Sequence, residues 1–360
     1  MESEFLINDI RVIKDFRTTT LSGYKKTEVK KELIKSLKES EIEPSCYWSA
    51  ELICSGFYSD LWDIIISVYC KHIHLGNPTM AIYLEKRIQN FKEIVKGGYI
   101  GDELAMRNNS KIRQIFCEII CIISLSNKKS KLEEIKISPE YFDMTNIKSK
   151  LRAPDISYGE IAFKSEDPKE LFLAVNELSY NLSKDGKNPL LACFWIEWIM
   201  EYKKIRSQKK QKCICQRRLF CNDDKMQKEV DWLVWDILIE IANKKPDKRI
   251  KSIIQSLCSL YSLRYTNTIY RQRKFVMYFA VTFLIENPAF SNEITNSDMK
   301  GKIKNVCSGI NNVYKQIKEK EQGAATDYLF MDIGGKGNLE KTREKLDKMS
   351  KIGDAFVPRI

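Results

Sequence analysis

The sequence predicts an all-α protein built from two helical-bundle lobes joined by an irregular linker. Apolar residues recur at three- and four-residue spacing along much of the chain, strand patterns are scarce, and one tryptophan-containing pattern occurs twice. With 360 residues and 43% hydrophobic content, the chain is long enough to form two packed domains of ordinary size.

The repeated pattern is the main reason to expect two lobes. Cys46-Tyr47-Trp48 precedes Trp62-Asp63, and Cys193-Phe194-Trp195 precedes Trp235-Asp236 in the same order. The two tryptophans are 14 positions apart in the first copy and 40 apart in the second, so the second copy contains 26 additional residues. We interpret this as a diverged internal duplication, with two unrelated apolar core helices as the alternative interpretation.

Helices of the first lobe are predicted from periodicity and from their end signals. Val29, Leu33 and Leu37 recur at fourfold spacing and predict an amphipathic helix that ends before Pro44. Pro44 suits the first turn of the next helix, which Gly56 ends. Further helices of this lobe are expected over residues 61–73, 80–97 and 110–126.

The second lobe is expected to follow a linker rich in Lys, Ser and Pro. Pro154 forces its neighbour into an extended conformation there, whereas Glu166 and Asp167 suit the positive end of a helix dipole. The predicted organisation is an extended N-terminal arm (1–22), a first lobe (23–127), the linker (128–164), a second lobe (165–322) and a Gly-containing C-terminal tail (323–360). Helices are expected near residues 166–182, 189–202, 227–242, 249–265, 270–285 and 297–322, with a charged helix at 339–348 in the tail.

The additional residues of the second copy form a basic insertion at 203–228. Its segment 203–218 contains eight Lys or Arg residues and no acid, in a chain whose formal net charge is +12. Because unpaired cations are not buried, we expect the insertion to project into solvent and to contact the phosphates of nucleic acid or another polyanion. Tyr202 and Phe220 flank it and could stack on bases. The predicted contact residues are Lys203, Lys204, Arg206, Lys209, Lys210, Lys212, Arg217 and Arg218. A solvated loop, or an arm that binds an acidic protein, is the alternative.

The eleven cysteines, in a chain without a recognisable secretory leader, indicate a reducing compartment. Cys213, Cys215 and Cys221 of the insertion are candidate zinc ligands, because thiolates bind zinc and the neighbouring cations would lower the thiol pKa values. A closed structural site needs four ligands, so free thiols are the favoured interpretation. We therefore expect no cofactor, with zinc as the alternative.

No catalytic motif is recognisable in the sequence. His72 and His74 are the only histidines, and no Gly-x-Ser-x-Gly elbow accompanies them. The segment 334–338 (GGKGN) lacks the spacing of a phosphate-binding loop. Glu51 and Glu197 lie in apolar helices and are expected to form ion pairs with arginines. The candidate partners are Arg87, Arg113, Arg271 and Arg273.

Two resemblances bear on function. Residues 42–48 (IEPSCYW) and 73–78 (IHLGNP) resemble the helical collar of clamp-loader-type AAA+ proteins. This resemblance implies helix-mediated oligomerisation near DNA replication machinery, but the chain lacks the ATPase core, so ATP hydrolysis is not implied. The chain, especially residues 18–26 (TTTLSGYKK), also resembles uncharacterised proteins of nucleocytoplasmic large DNA viruses, and its Lys- and Ile-rich composition fits an AT-rich viral genome.

These observations favour a non-enzymatic helical scaffold that contacts nucleic acid during viral replication, transcription or genome handling. Its expected partners are nucleic acid and other viral proteins, in a homo- or hetero-oligomer. The alternative is a structural virion protein, such as a minor capsid or core component, whose ends (1–22 and 323–360) bind neighbouring subunits. Since no stretch reaches the length of a membrane span, we expect a soluble protein of the host cytoplasm or viral factory, or of the virion.

Overall fold

Helices form the regular secondary structure of residues 3–221 and 223–322, which are the residues that the computed structural model describes. Within these ranges there is no β-strand, and Thr19 and Lys25 make an isolated antiparallel bridge. The predicted all-α fold class is confirmed.

Twelve α-helices follow one another in these two ranges. They are α1 (Lys26–Glu39), α2 (Ile42–Cys54), α3 (Tyr58–Val68), α4 (Met80–Lys96), α5 (Ser110–Leu125), α6 (Met144–Ile147), α7 (Phe172–Leu182), α8 (Pro189–Gln208), α9 (Asp231–Asn243), α10 (Lys248–Ser262), α11 (Ile269–Glu286) and α12 (Ser297–Lys318). Among the described residues, none of these helices has both the length and the apolarity that crossing a lipid bilayer demands.

Local sequence signals explain where several helices begin and end. The Asn188 side chain accepts a hydrogen bond from the backbone N–H of Leu191 (3.0 Å), and Pro189 occupies the first turn of α8, where its missing N–H costs nothing. Gly56 adopts a positive φ of 77° in the turn between α2 and α3. Helix α8 continues to Gln208, beyond its expected end at Tyr202, so the first basic residues of the insertion are helical.

Both halves of the chain contribute to one continuous hydrophobic core. Helix α3 packs against α11, and α4 packs against α10, so the first half contacts the second through two helix pairs. The guanidinium of Arg273 on α11 donates to the carboxylate of Asp63 on α3 at 2.6 Å. The side chain of Arg273 is almost completely buried, which makes this ion pair part of the junction between the halves.

Several helix pairings occur in both halves, whereas the packing of α2 on α3 and of α9 on α10 is not matched. Helix α1 packs against α2 as α7 does against α8, and α2 packs against α5 as α8 does against α11. The contacts of α1 with α3 and of α4 with α5 likewise have counterparts in α7 with α9 and α10 with α11. This pairing agrees with the internal duplication, which stays a prediction.

Helix α12 lies against the first half, although the sequence grouped residues 297–318 with the second lobe. It packs on α2 and α5, and its buried residues include Ile310 and Tyr314. The guanidinium carbon of Arg113 on α5 lies 3.9 Å from the centroid of the Tyr314 ring, a cation–π contact. This helix therefore packs with the first half and not, as expected, with the second lobe, because helices of the first half cover its apolar face.

The N-terminal segment is docked on the helices and does not form a free arm. Ile7, Phe16 and Leu21 are buried in the core. Arg113 donates to the backbone carbonyl of Phe5 at 2.9 Å, which ties the start of the chain to α5. Burial of these apolar side chains explains why the segment follows the protein surface. The predicted tail at 323–360, with its helix at 339–348, lies outside the described residues.

The linker at 128–164 also packs closely, here around α7 and α8. The Phe142 ring stacks on Trp198 of α8 with centroids 5.0 Å apart. The carboxylate of Glu177 on α7 accepts hydrogen bonds from the backbone N–H groups of Arg152 (2.8 Å) and Ala153 (3.0 Å). These contacts fix the linker against the helices that follow it.

The docked N-terminal segment leads to a stability prediction. Replacing Phe16 with Ala should lower the free energy of unfolding by about 3–5 kcal/mol, because it empties a fully buried aromatic site. The matched control is Val12→Ala in the same segment, where the side chain is 57% exposed, and its effect should stay within about 0.5 kcal/mol. Urea unfolding followed by circular dichroism measures both values, and equal effects would mean that the segment does not dock as described.

Candidate functional site

Arg218 anchors the basic insertion inside the protein. Its Nε donates to Asp236 Oδ2 at 2.6 Å, and its Nη2 donates to Asp167 Oδ2 at 2.7 Å and to the carbonyl of Ala162 at 2.8 Å. Only 3% of Arg218 is exposed. The expectation that Arg218 projects into solvent is therefore wrong, because its hydrogen bonds are directed to carboxylates and a backbone carbonyl inside the protein.

The electrostatic environment keeps this buried group of charges ionised. Burial alone would lower the pKa of Arg218, but its hydrogen bonds to Asp167 and Asp236 outweigh burial and raise it. Burial alone would raise the pKa of Asp167, but the Arg218 guanidinium lowers it below its ordinary value. Because Arg218 and Asp167 are shielded from water, each charge is stabilised by its ion-pair partner. These ion pairs hold the insertion against the protein.

Three more of the predicted contact residues pair with acids of the same protein. Lys203 Nζ lies 2.6 Å from Asp231 and 2.9 Å from Glu229, and these carboxylates raise its pKa although burial opposes them. Two further ion pairs, at 2.7 Å and 2.8 Å, join Lys204 to Glu201 and Arg217 to Asp224. The paired Lys203 is only partly exposed and is poorly placed to bind phosphate.

The backbone of the insertion folds back on itself. The N–H of Cys215 donates to the carbonyl of Lys228 at 2.9 Å, and the N–H of Arg218 donates to the carbonyl of Gln227 at 3.0 Å. The N–H of Gln216 donates to the carboxylate of Asp167 at 2.9 Å. The second part of the insertion is therefore a fixed loop and not a projecting arm.

Three lysines at the end of α8 remain exposed, and we call Lys209, Lys210 and Lys212 the lysine turn. Within residues 3–221 and 223–322, no carboxylate forms an ion pair with any of them. Lys210 has a positive φ of 57°, which reverses the chain directly after the helix. Arg206, one turn earlier on α8, is half-buried, with its guanidinium carbon 5.9 Å from the centroid of the Tyr202 ring.

The aromatic residues that flank the insertion are engaged in packing. Tyr202 stacks on Trp198 with centroids 5.6 Å apart and an interplanar angle of 10°. Phe220 packs against Trp232, with centroids 6.4 Å apart. Because one face of the Tyr202 ring already contacts protein, stacking on a nucleic-acid base is limited to its other face.

The candidate zinc ligands of the insertion do not come together. Cys215 and Cys221 are buried and Cys213 is half-buried. The neighbouring cations were expected to lower the thiol pKa values, but burial instead raises the pKa of Cys213 to about 11 and raises those of Cys215 and Cys221 as well. In the part of the chain that the structure describes, these sulfurs do not belong to a group of three converging metal ligands.

A different set of cysteines does converge, between α2, α5 and α12. The Sγ atoms of Cys46, Cys117 and Cys121 all lie within 4.8 Å of one another. Cys307 Sγ on α12 lies 3.5 Å from Cys117 Sγ. We call these four residues the thiol cluster. The cluster was not predicted from the sequence, although the Cys117-x-x-x-Cys121 spacing places two sulfurs on one face of a helix.

The thiols of this cluster affect one another directly. Hydrogen bonds from Cys117 and Cys121 lower the pKa of Cys46, although the thiol is buried. The pKa of Cys117 is raised, with its contacts to Cys121 and Cys307 as the largest causes. Contacts with its neighbours therefore favour the deprotonated form of the Cys46 thiol.

Glu51, which is buried, and Glu197, which is partly buried, are not paired with the arginines that the sequence suggested. Glu51 accepts hydrogen bonds from Thr20 Oγ1 at 2.7 Å and from the backbone N–H of Ser22 at 2.8 Å. Glu197 accepts a hydrogen bond from Tyr278, and Lys274 Nζ lies 3.9 Å away. A hydroxyl and a backbone N–H take the place of the expected guanidinium at Glu51, and a tyrosine hydroxyl and a lysine take it at Glu197.

The sequence matches no protein-family model, and no curated protein or solved structure is similar enough to give a match.

The buried Arg218 leads to a second stability prediction. Replacing Arg218 with Met leaves the buried Asp167 without its cation and leaves Asp236 with Lys164 alone, and should lower the free energy of unfolding by about 3–5 kcal/mol. The adjacent Arg217→Met removes an exposed ion pair and should cost less than about 1 kcal/mol. Denaturant unfolding at neutral pH compares the two, and similar losses would show that Arg218 does not neutralise buried acids.

The same variant should reverse the pH dependence at Asp167. In the wild type the lowered pKa of Asp167 means that its contribution to stability is present above the ordinary carboxyl pKa and is lost as the pH falls through the folded-state value. Without Arg218, burial should raise the pKa of Asp167, so protonation would relieve the penalty. The loss caused by Arg218→Met should therefore be smaller at about pH 4 than at about pH 7. If the wild type and Arg218→Met differ by the same free energy of unfolding at both pH values, this assignment is contradicted.

Proposed function

We propose that this protein is a non-enzymatic helical scaffold that contacts nucleic acid through the lysine turn, in the replication, transcription or genome handling of a large DNA virus. The observation that carries the proposal is the exposure of Lys209, Lys210 and Lys212 at the end of α8. Their positive charges are available to an external polyanion. Of the other predicted contact residues, Lys203, Lys204, Arg217 and Arg218 are paired with acids and Arg206 is half-buried.

The support beneath the lysine turn is rigid. Helix α8 has 20 residues, and Trp195 near its start is completely buried. The fixed loop that follows the turn is held by Arg218 and by its own backbone hydrogen bonds. Cations at the C-terminal end of a helix also interact favourably with the helix dipole, so three lysines can stand there at low cost.

Contact through lysines favours phosphates over bases. A lysine ammonium is a flexible point charge without the fixed pair of donors that lets arginine recognise guanine. The flanking Tyr202 and Phe220 rings are partly engaged in packing. Binding should therefore depend little on nucleic-acid sequence and strongly on salt concentration.

The alternative of a structural virion protein loses one of its two proposed connections. Residues 1–22 were expected to reach neighbouring subunits, but Ile7, Phe16 and Leu21 of this segment are buried in their own chain. That role would depend on residues 323–360. Quantitative mass spectrometry of purified particles distinguishes the two functions, because abundance near that of the capsid subunits would favour the structural role.

Removing the lysine turn tests the proposal directly. The triple variant Lys209→Ala/Lys210→Ala/Lys212→Ala should bind duplex DNA more weakly. The slope of log affinity against log salt should become shallower by about 2–3, since each phosphate contact contributes about 0.9. Fluorescence anisotropy at several salt concentrations measures the slope.

A matched control separates position from total charge. Lys31, Lys35 and Lys38 are exposed on α1, and replacing all three with Ala removes the same charge. This control should leave the slope close to that of the wild type. If both triple variants change the slope equally, the lysine turn has no special role and the net positive charge explains binding.

A further inference from the structure

We propose that the thiol cluster of Cys46, Cys117, Cys121 and Cys307 is a structural Zn²⁺ site that joins α12 to α2 and α5. The inference goes beyond the proposed function and does not depend on it. It rests on three buried sulfurs that converge between α2 and α5, and on the Cys307 sulfur of α12, which contacts one of them.

The distances between the sulfurs fit tetrahedral zinc. Four thiolates at a Zn–S distance of about 2.3 Å lie roughly 3.8 Å from one another. The three buried sulfurs lie within 4.8 Å of one another, and the fourth approaches Cys117 to 3.5 Å. The Cys307 sulfur lies outside the group of three mutually close sulfurs, so it would have to move toward Cys46 and Cys121 when the metal binds.

The helical framework places the ligands before the metal binds. Cys117 and Cys121 are one turn apart on α5, so their side chains share a face of this helix. Cys46 comes from α2 and Cys307 from α12, and each pair of these three helices is in contact. A site made in this way reduces the ordering cost of binding, because the backbone is already held by the core.

The donor set selects a soft metal ion. Within the described residues the converging group contains sulfur ligands and no carboxylate or imidazole, which favours Zn²⁺ or Cu⁺ over Mg²⁺ or Ca²⁺. Four sulfurs complete the tetrahedral shell of a structural zinc ion, whereas Cu⁺ needs fewer ligands. Binding converts thiols to thiolates and releases their protons to solvent, which leaves a tetrathiolate complex of net charge about −2.

The arrangement also explains how the ion could enter. Cys46, Cys117 and Cys121 are buried, but Cys307 is only half-buried. The partly exposed edge gives solvent access to the cluster and allows water to screen part of the charge. Because Cys307 belongs to α12, metal binding would fix this helix on the first half of the protein.

The test uses the full chain, purified anaerobically under reducing conditions and stripped with a chelator. Competitive titration with Zn²⁺ should show about one ion per chain, and zinc should raise the melting temperature. Cobalt substitution should produce thiolate-to-metal absorption with the intense visible bands of a four-coordinate site. Cys117→Ser should weaken zinc affinity by at least about 100-fold, since loss of supporting groups alone costs up to that factor.

Cys54→Ser is the matched control, because Cys54 is a completely buried cysteine at the end of α2 outside the thiol cluster. It should keep the zinc affinity and the cobalt spectrum of the wild type. Circular dichroism of the stripped wild type establishes that it is folded before metal is added. The proposal is overturned if the folded wild type binds zinc no better than Cys117→Ser, or if it binds Cu⁺ under a competing chelator but not Zn²⁺.

Discussion

The interaction on which the basic insertion depends is the buried group formed by Arg218, Asp167 and Asp236. A carboxylate removed from water needs a cation with good hydrogen-bond geometry, and a guanidinium can satisfy two carboxylates at once. The insertion supplies that guanidinium, so the residues on either side of Arg218 are held close to the buried carboxylates. As a result, a segment with a strongly basic composition is divided into a fixed loop and an exposed lysine turn. The lysine turn stays exposed, whereas Lys203 and Arg218 pair with buried carboxylates of the same protein.

A buried arginine also pairs with an aspartate where the two halves meet, although the carboxylate there is partly exposed. Asp63 directly follows a buried tryptophan, as Asp236 does, and each of the two carboxylates binds a buried arginine. For Asp63 the arginine is Arg273 of α11, so neutralising the acid also joins α3 to the second half. In both copies of the Trp-Asp pattern, the aspartate of an apolar helix therefore forms an ion pair with an arginine from elsewhere in the chain. The partners arise from different elements, one from a helix and one from the insertion, so this similarity lies in the electrostatic requirement and not in the detailed contacts.

Much of the secondary structure could be predicted because its signals are local. Asn188 and Pro189 begin α8 and Gly56 follows α2, where capping and turn chemistry require them. The conformation of the insertion could not be predicted in this way. The sequence shows that Arg218 is positively charged, but it does not show that Asp167 and Asp236 lie next to it in the folded protein. The position of α12 was missed for a related reason. Periodicity shows that a helix has an apolar face, but which helices cover that face is decided by long-range packing.

The cysteines show how far residue counting can mislead about chemistry. Cys213, Cys215 and Cys221 are close in sequence, and the local spacing directed attention to them, yet burial raises their pKa values and their sulfurs do not converge. The thiol cluster is formed by residues of α2, α5 and α12. Helix α12 packs against α2 and α5 although it is far from both in the sequence. A metal site made from such distant residues stabilises contacts that local structure cannot enforce. Helix α12 has a largely polar sequence, and its buried side chains are few, so an additional link to the first half has the most effect there.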